Sequence, residues 1–126
     1  MIRALLLVAI GGGVGSALRF LVSRLVQENV VGEFPWPTLA VNVAGCLLIG
    51  LFYGLSRRGG LGGDDVRTLL TTGLCGGFTT FSTFCNENLS LLRGSHAALA
   101  LVYAGGSVVL GLLAVALGYW LADSVN

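Results

Sequence analysis

One apolar stretch long enough to cross a bilayer, and interrupted at its own centre, constrains this chain more than any other feature. From Val66 to Leu92 it runs about 27 residues, where roughly 20 suffice for a helical span. Its middle, TTGLCGGFTTFSTFCNEN (Thr71–Asn88), holds the pair Gly76–Gly77. Of the six residues that follow, four are Thr or Ser: Thr79, Thr80, Ser82 and Thr83. Each glycine costs a helix roughly 1 kcal/mol relative to Ala, and hydroxyl side chains compete for backbone groups. The pattern predicts a span broken at mid-membrane. Backbone groups freed there are tolerated only where they face protein, water or an ion, and discontinuous helices mark ion and substrate sites in transporters. A packing kink at small residues is the plainer alternative.

Phe81 and Phe84 follow at i, i+3 spacing, with Phe78 one step earlier, so the rings are expected to line one side of the resumed helix. Such a stripe is ordinarily core or lipid-facing. Here Ser82, Thr83 and Glu87 lie within two turns, and a ring's electropositive edge can meet an anion without a formal charge.

With 126 residues the chain makes one domain, and 55% hydrophobic against 10% charged is outside the soluble range. All seven basic residues are Arg and the net charge is +1, which leaves no footprint for a nucleic-acid partner. The three cysteines, Cys46, Cys75 and Cys85, fall within apolar spans and read as packing residues rather than a disulfide framework.

Four helices are expected, at about 4–26, 39–55, 66–92 and 97–122. The first is read as a retained span rather than a cleaved signal, with Gly11 and Gly15 as a packing pair. Arg19 lies deep within it, either snorkelling or facing an aqueous vestibule. The loop from Gln27 to Pro37 reads as an interfacial turn with Trp36 as anchor. Asn42 is the main polar residue of the second span, as an interhelical hydrogen-bond partner or as a donor on an ion path. SRRGGLGGDDVR (Ser56–Arg67) is a connector, and His96 a solvated loop histidine. Arg3, Arg57, Arg58 and Arg67 lie on one side and Arg24 and Arg93 on the other, a small bias for orientation.

GLCGGFTTFSTF (Gly73–Phe84), with GGGVGSALRF (Gly11–Phe20) and PTLAVNVAGCLLIG (Pro37–Gly50) in the same order, closely resembles the signature of the CrcB or Fluc family of fluoride channels. The resemblance implies an all-α protein of four transmembrane helices per subunit, assembled as an antiparallel, dual-topology homodimer in the cytoplasmic (inner) membrane. It implies passive fluoride export, Arg19 at a vestibule and Asn42 as a pathway donor. It also implies a structural sodium ion at the dimer interface, held by the backbone carbonyls of Gly76 and Thr79, with Gly76 allowing the turn and Thr79 ending it.

The residues themselves suit a small anion. Asn42, Ser82, Thr83, Tyr103 and Ser107 supply N–H and O–H groups to replace tightly held water, and Phe81 and Phe84 add ring edges. No Ser–His–acid set, phosphate loop or zinc cluster supports an enzyme. A proton-coupled small dimeric exporter is the rival, but such a carrier needs an embedded carboxylate, typically in its first span. The only deeply placed acid is Glu87, late in the third.

Overall fold

The computed structural model describes residues 1–57 and 59–125, and among them it is helical with no strand. The elements are α1 (Ile2–Asn29), α2 (Trp36–Ser56), α3 (Asp64–Arg67), a π-helical segment (Thr68–Cys75), α4 (Gly76–Phe78), α5 (Phe81–Arg93) and α6 (Ala97–Val125). Three of them, α1, α2 and α6, are long and apolar enough to cross a membrane.

The helices overrun the expected spans because a helix satisfies its backbone beyond the apolar limit as well. At the end of α1 the Asn29 side-chain amide donates to the Leu25 carbonyl at 2.7 Å, a local bond within the last turn. Trp36 and Pro37, expected in the loop, instead open α2. Proline fits the first turn, where its missing N–H would have had no partner. The connector ends at Gly63, and Asp64 and Asp65 occupy the first turn of α3, where carboxylates suit the helix dipole.

Glycines set the spacing of the bundle. Gly11 and Gly15 are the buried residues of α1, and a Cβ on either would run into backbone of the π-helical segment. On the other side of the molecule Gly50 of α2 sits against the Val115 carbonyl of α6, and Gly118 of α6 against the Leu47 carbonyl. Lipid gives no hydrophobic drive between apolar helices, so close backbone approach at small residues supplies the packing energy instead.

The interruption falls three residues later than the glycine pair. Gly76 is helical (φ −61°, ψ −40°), and Gly77 lies with it in α4. The extended residues are Thr79 (φ −84°, ψ 160°) and Thr80 (φ −148°, ψ 120°). Gly77 is small for a tertiary reason: a Cβ there would collide with the carbonyl of Gly12 on α1. The helix restarts at Phe81 because the Thr80 hydroxyl caps it, accepting from the Thr83 amide at 3.3 Å.

Ion pairs tie one end of the bundle together. Arg3 meets Asp65 at 2.7 Å, Arg57 meets Asp123 at 3.0 Å, and Arg67 lies 5.1 Å from the Tyr53 ring centre. These contacts bring the start of α1, the ends of α2 and α6 and the short α3 to one side, as the arginine pattern suggests; Arg58 lies outside the described residues. Arg24 pairs with Glu28 at the opposite end of α1, at 3.8 Å.

Candidate functional site

Three side chains rewire the backbone around the break. The Asn42 amide on α2 bonds twice to Thr80, donating from Nδ2 to its carbonyl at 3.0 Å and accepting its amide on Oδ1 at 2.8 Å. In a continuous helix the Thr80 amide would close onto the carbonyl of Gly76. Asn42 takes it away. Likewise the Thr83 amide, whose regular acceptor would be the Thr79 carbonyl, turns to the Thr80 hydroxyl. The carbonyls of Gly76 and Thr79 thus lose their regular helical donors, while Thr79 keeps its own amide on Cys75 at 3.0 Å. The Gly77 carbonyl is treated differently: it accepts Arg19 Nε at 3.1 Å and Ser16 Oγ at 3.4 Å. Arg19 therefore commits a donor to the break itself.

Beside the break lies a cavity of about 370 Å³, walled by Asn42, Gly76, Thr79, Thr80, Phe84 and Ser107 among others, with Phe81 at its edge. No charged side chain lines it among the described residues. Phe81 is 76% exposed, its ring centre 6.0 Å from that of Phe84. Phe78 does not continue the stripe. The extended pair at Thr79–Thr80 resets the helical register, and Phe78 is buried against α2 near Gly45. Ser107 Oγ is buried with no hydrogen-bond partner among the described residues. Ser82 and Thr83 stand exposed in the first turn of α5, outside this wall.

A second polar cluster sits further along α5. Glu87 accepts the Tyr103 hydroxyl on Oε1 at 2.8 Å and the Thr38 hydroxyl on Oε2 at 3.0 Å. Tyr103 is fully buried and its ring centre is 5.0 Å from that of Phe84. The deep carboxylate is thus held by two neutral donors, with no arginine beside it among the described residues.

The sequence profile of the family described as CrcB-like protein, Camphor Resistance (CrcB), matches residues 6–119. The chain belongs to the CrcB family. Its relatives include proteins named fluoride-specific ion channel FluC. The one from Phocaeicola vulgatus is 50% identical over 121 residues, covering 96% of this chain and 99% of the relative. That of Flavobacterium psychrophilum is 42% identical over 123 residues (98% and 99%), and one from Thermus thermophilus is 48% identical over 120 (95% of each).

In this CrcB chain, Asn42, Phe81, Phe84 and Ser107 meet at one cavity, and Tyr103 and Glu87 meet beside it. Arg19 stands apart, on the α1 side of the break. Reading the sequence missed Thr38 and Ser16, whereas it did place Thr80 among the hydroxyls that take up freed backbone groups. Thr38 gave little signal: its hydroxyl needs a partner because packing buries it to 5% exposure, which only the folded chain shows. Ser16, one turn before Arg19 in a glycine-rich stretch, gave none.

Proposed function

We propose that the chain is the subunit of a fluoride-selective channel, passive rather than proton-coupled, that lets fluoride leave the cytoplasm across the cytoplasmic (inner) membrane. The observation that carries this reading is the uncharged cavity at the helix break, with the rings of Phe81 and Phe84 in its wall and a buried Ser107 hydroxyl that has no partner among the described residues. The names of the relatives support it. Fluoride holds its water tightly, so a path must offer donors in its place. A fixed cation in the wall would hold the ion too firmly, whereas several weak neutral sites let it enter and leave. Ser82 and Thr83, exposed on the same helix, add hydroxyls further along the path. Channel kinship supports transport over enzymatic work and over the proton-coupled exporter.

The decisive measurement uses purified protein in fluoride-loaded liposomes. Efflux is expected only when valinomycin relieves the charge build-up, with chloride essentially excluded and no response to an imposed pH gradient. Uphill fluoride movement driven by protons would overturn the reading in favour of an exporter.

In this reading the two halves of the interrupted stretch, 64–78 and 81–93, form one further span, the third of four in chain order. At 1.5 Å per residue they reach roughly 40 Å, more than the hydrocarbon thickness of about 30 Å. The wall polar groups and Phe81 are left open to one side of a single subunit, which supports a partner there, and an antiparallel second copy is the partner proposed. The small arginine bias permits insertion both ways. A tag on the C-terminus is expected to be accessible from each side of the membrane in comparable amounts; labelling from one side alone would exclude dual insertion.

The Gly76 and Thr79 carbonyls suit a hard cation, because both lack their regular helical donors, and a partner subunit laid over them would bury an acceptor pair without donors, which is unfavourable. Two such pairs, one from each subunit, would hold a structural sodium ion at the dimer interface, where it would neutralise the facing oxygens and brace the breaks. Exchange of sodium for a bulky organic cation during purification is expected to weaken the dimer. A dimer of unchanged stability with no bound sodium would refute the site.

A further inference from the structure

A ladder of aromatic rings leads away from the break to the loop between α1 and α2. From Phe81 the steps are 6.0 Å to Phe84 and 5.0 Å to Tyr103. From Tyr103 it is 5.5 Å to Phe34, in an edge-to-face arrangement at 77°, and from Phe34 it is 4.5 Å to Trp36. Phe34 lies on the loop that joins two bilayer-length helices, so the ladder connects the interrupted helix with the membrane surface.

The cavities follow the same course. A second one, of about 360 Å³, is lined by Phe34, Trp36, Tyr103 and Ser107 among others. Ser107 is common to both cavity walls, and its hydroxyl is the buried one with no partner among the described residues. Tyr103 cannot swing freely between them, because its hydroxyl is tied to Glu87 and its ring is held between Phe84 and Phe34. Phe34 itself is half-buried, and the Trp36 amide bonds its carbonyl at 2.9 Å, which fixes the loop against the start of α2.

We propose that Phe34 is the outermost ring of the anion path, lining the entry between the aqueous surface and the Tyr103–Ser107 stretch and holding Tyr103 in place. This rests on the fluoride-channel reading. Rings with electropositive edges in sequence give an anion a series of weak contacts from the surface to the break. The loop residue extends to the surface a stripe that on α5 comprises only Phe81 and Phe84.

The test is fluoride efflux from liposomes, with valinomycin present, at several internal fluoride concentrations. Wild type, Phe34→Ile, Phe34→Leu and Phe34→Tyr are compared at equal amounts of dimer, quantified by gel filtration. An entry residue governs flux when the ion is scarce. Phe34→Ile is therefore expected to lose about fivefold at low fluoride and distinctly less near saturation, with Phe34→Tyr restoring the flux to within about twofold of wild type, a loss like that of one or two weak contacts. Phe34→Leu serves in the same way if the Ile protein does not assemble. Equal loss at all concentrations, a Tyr variant no better than Ile, or wild-type flux in the Ile or Leu variant would overturn the proposal. Wild-type protein that carries no fluoride would bring down the channel reading with it, an outcome distinct from an active wild type matched by an active Phe34→Ile.

Discussion

Replacing Phe81 or Phe84 with Ile is expected to reduce fluoride flux about tenfold or more while the proposed dimer persists. Both rings border the cavity at the break, and Phe81 is the more exposed of the two. Ile keeps apolar bulk but removes the ring edge. Taking an edge contact at about 1 kcal/mol, loss of the contact from both subunits of the proposed dimer raises the barrier by about 2 kcal/mol, and each 1.4 kcal/mol is about a factor of ten in rate. Packing changes little at the exposed Phe81, whereas the half-buried Phe84 also gives up its ring contact with Tyr103. Liposome efflux alongside gel filtration of the detergent-solubilised variants separates the two effects. Full flux in both single variants would reduce the rings to packing.

Asn42→Asp is expected to be the more damaging change, abolishing flux and weakening the fold together. Asn42 bonds both the amide and the carbonyl of Thr80. Aspartate retains an acceptor for the amide but sets a second oxygen against the Thr80 carbonyl, and its charge repels an anion in the adjoining cavity. Asn42→Ala removes the repulsion but leaves both Thr80 groups without their partner, at about 1–3 kcal/mol for a buried group. The Thr80 amide would then be free to close on the Gly76 carbonyl and extend the helix. Thermal unfolding in detergent should therefore show both variants less stable than wild type, with Asp the worse for flux. An Asp variant that conducts normally would mean that Asn42 is no more than an interhelical tie.

Arg19 illustrates how a residue can be located correctly and still have its partner unseen. Its depth in the first span marks it as exceptional, and snorkelling and a vestibule are equally open to it from the sequence. The structure gives its Nε a specific acceptor, the Gly77 carbonyl, 58 residues away in sequence. A charge at that point keeps one carbonyl of the broken helix satisfied while the neighbouring carbonyls of Gly76 and Thr79 are left with other possibilities.

Membrane residence, the placing of the three long apolar helices, and the concentration of polar groups after the glycine pair were legible from residue order alone. They rest on hydropathy summed over about twenty positions, which no tertiary contact can alter. The family kinship was equally visible in short motifs. Tertiary structure alone decided where the helix breaks and what the break exposes. A glycine's helix penalty is small beside the energy of a close helix approach, so Gly76 and Gly77 stay helical, with Gly77 packed against Gly12. The interruption moves to Thr79–Thr80, where Asn42, brought over from α2, gives the backbone two hydrogen bonds in place of the helical ladder. Thr38 and Ser16 acquired their partners in the same way, through Glu87 and Gly77, which lie 49 and 61 positions away in sequence. Phe34 meets Tyr103 for the same reason: only the packed helices bring such distant residues within reach.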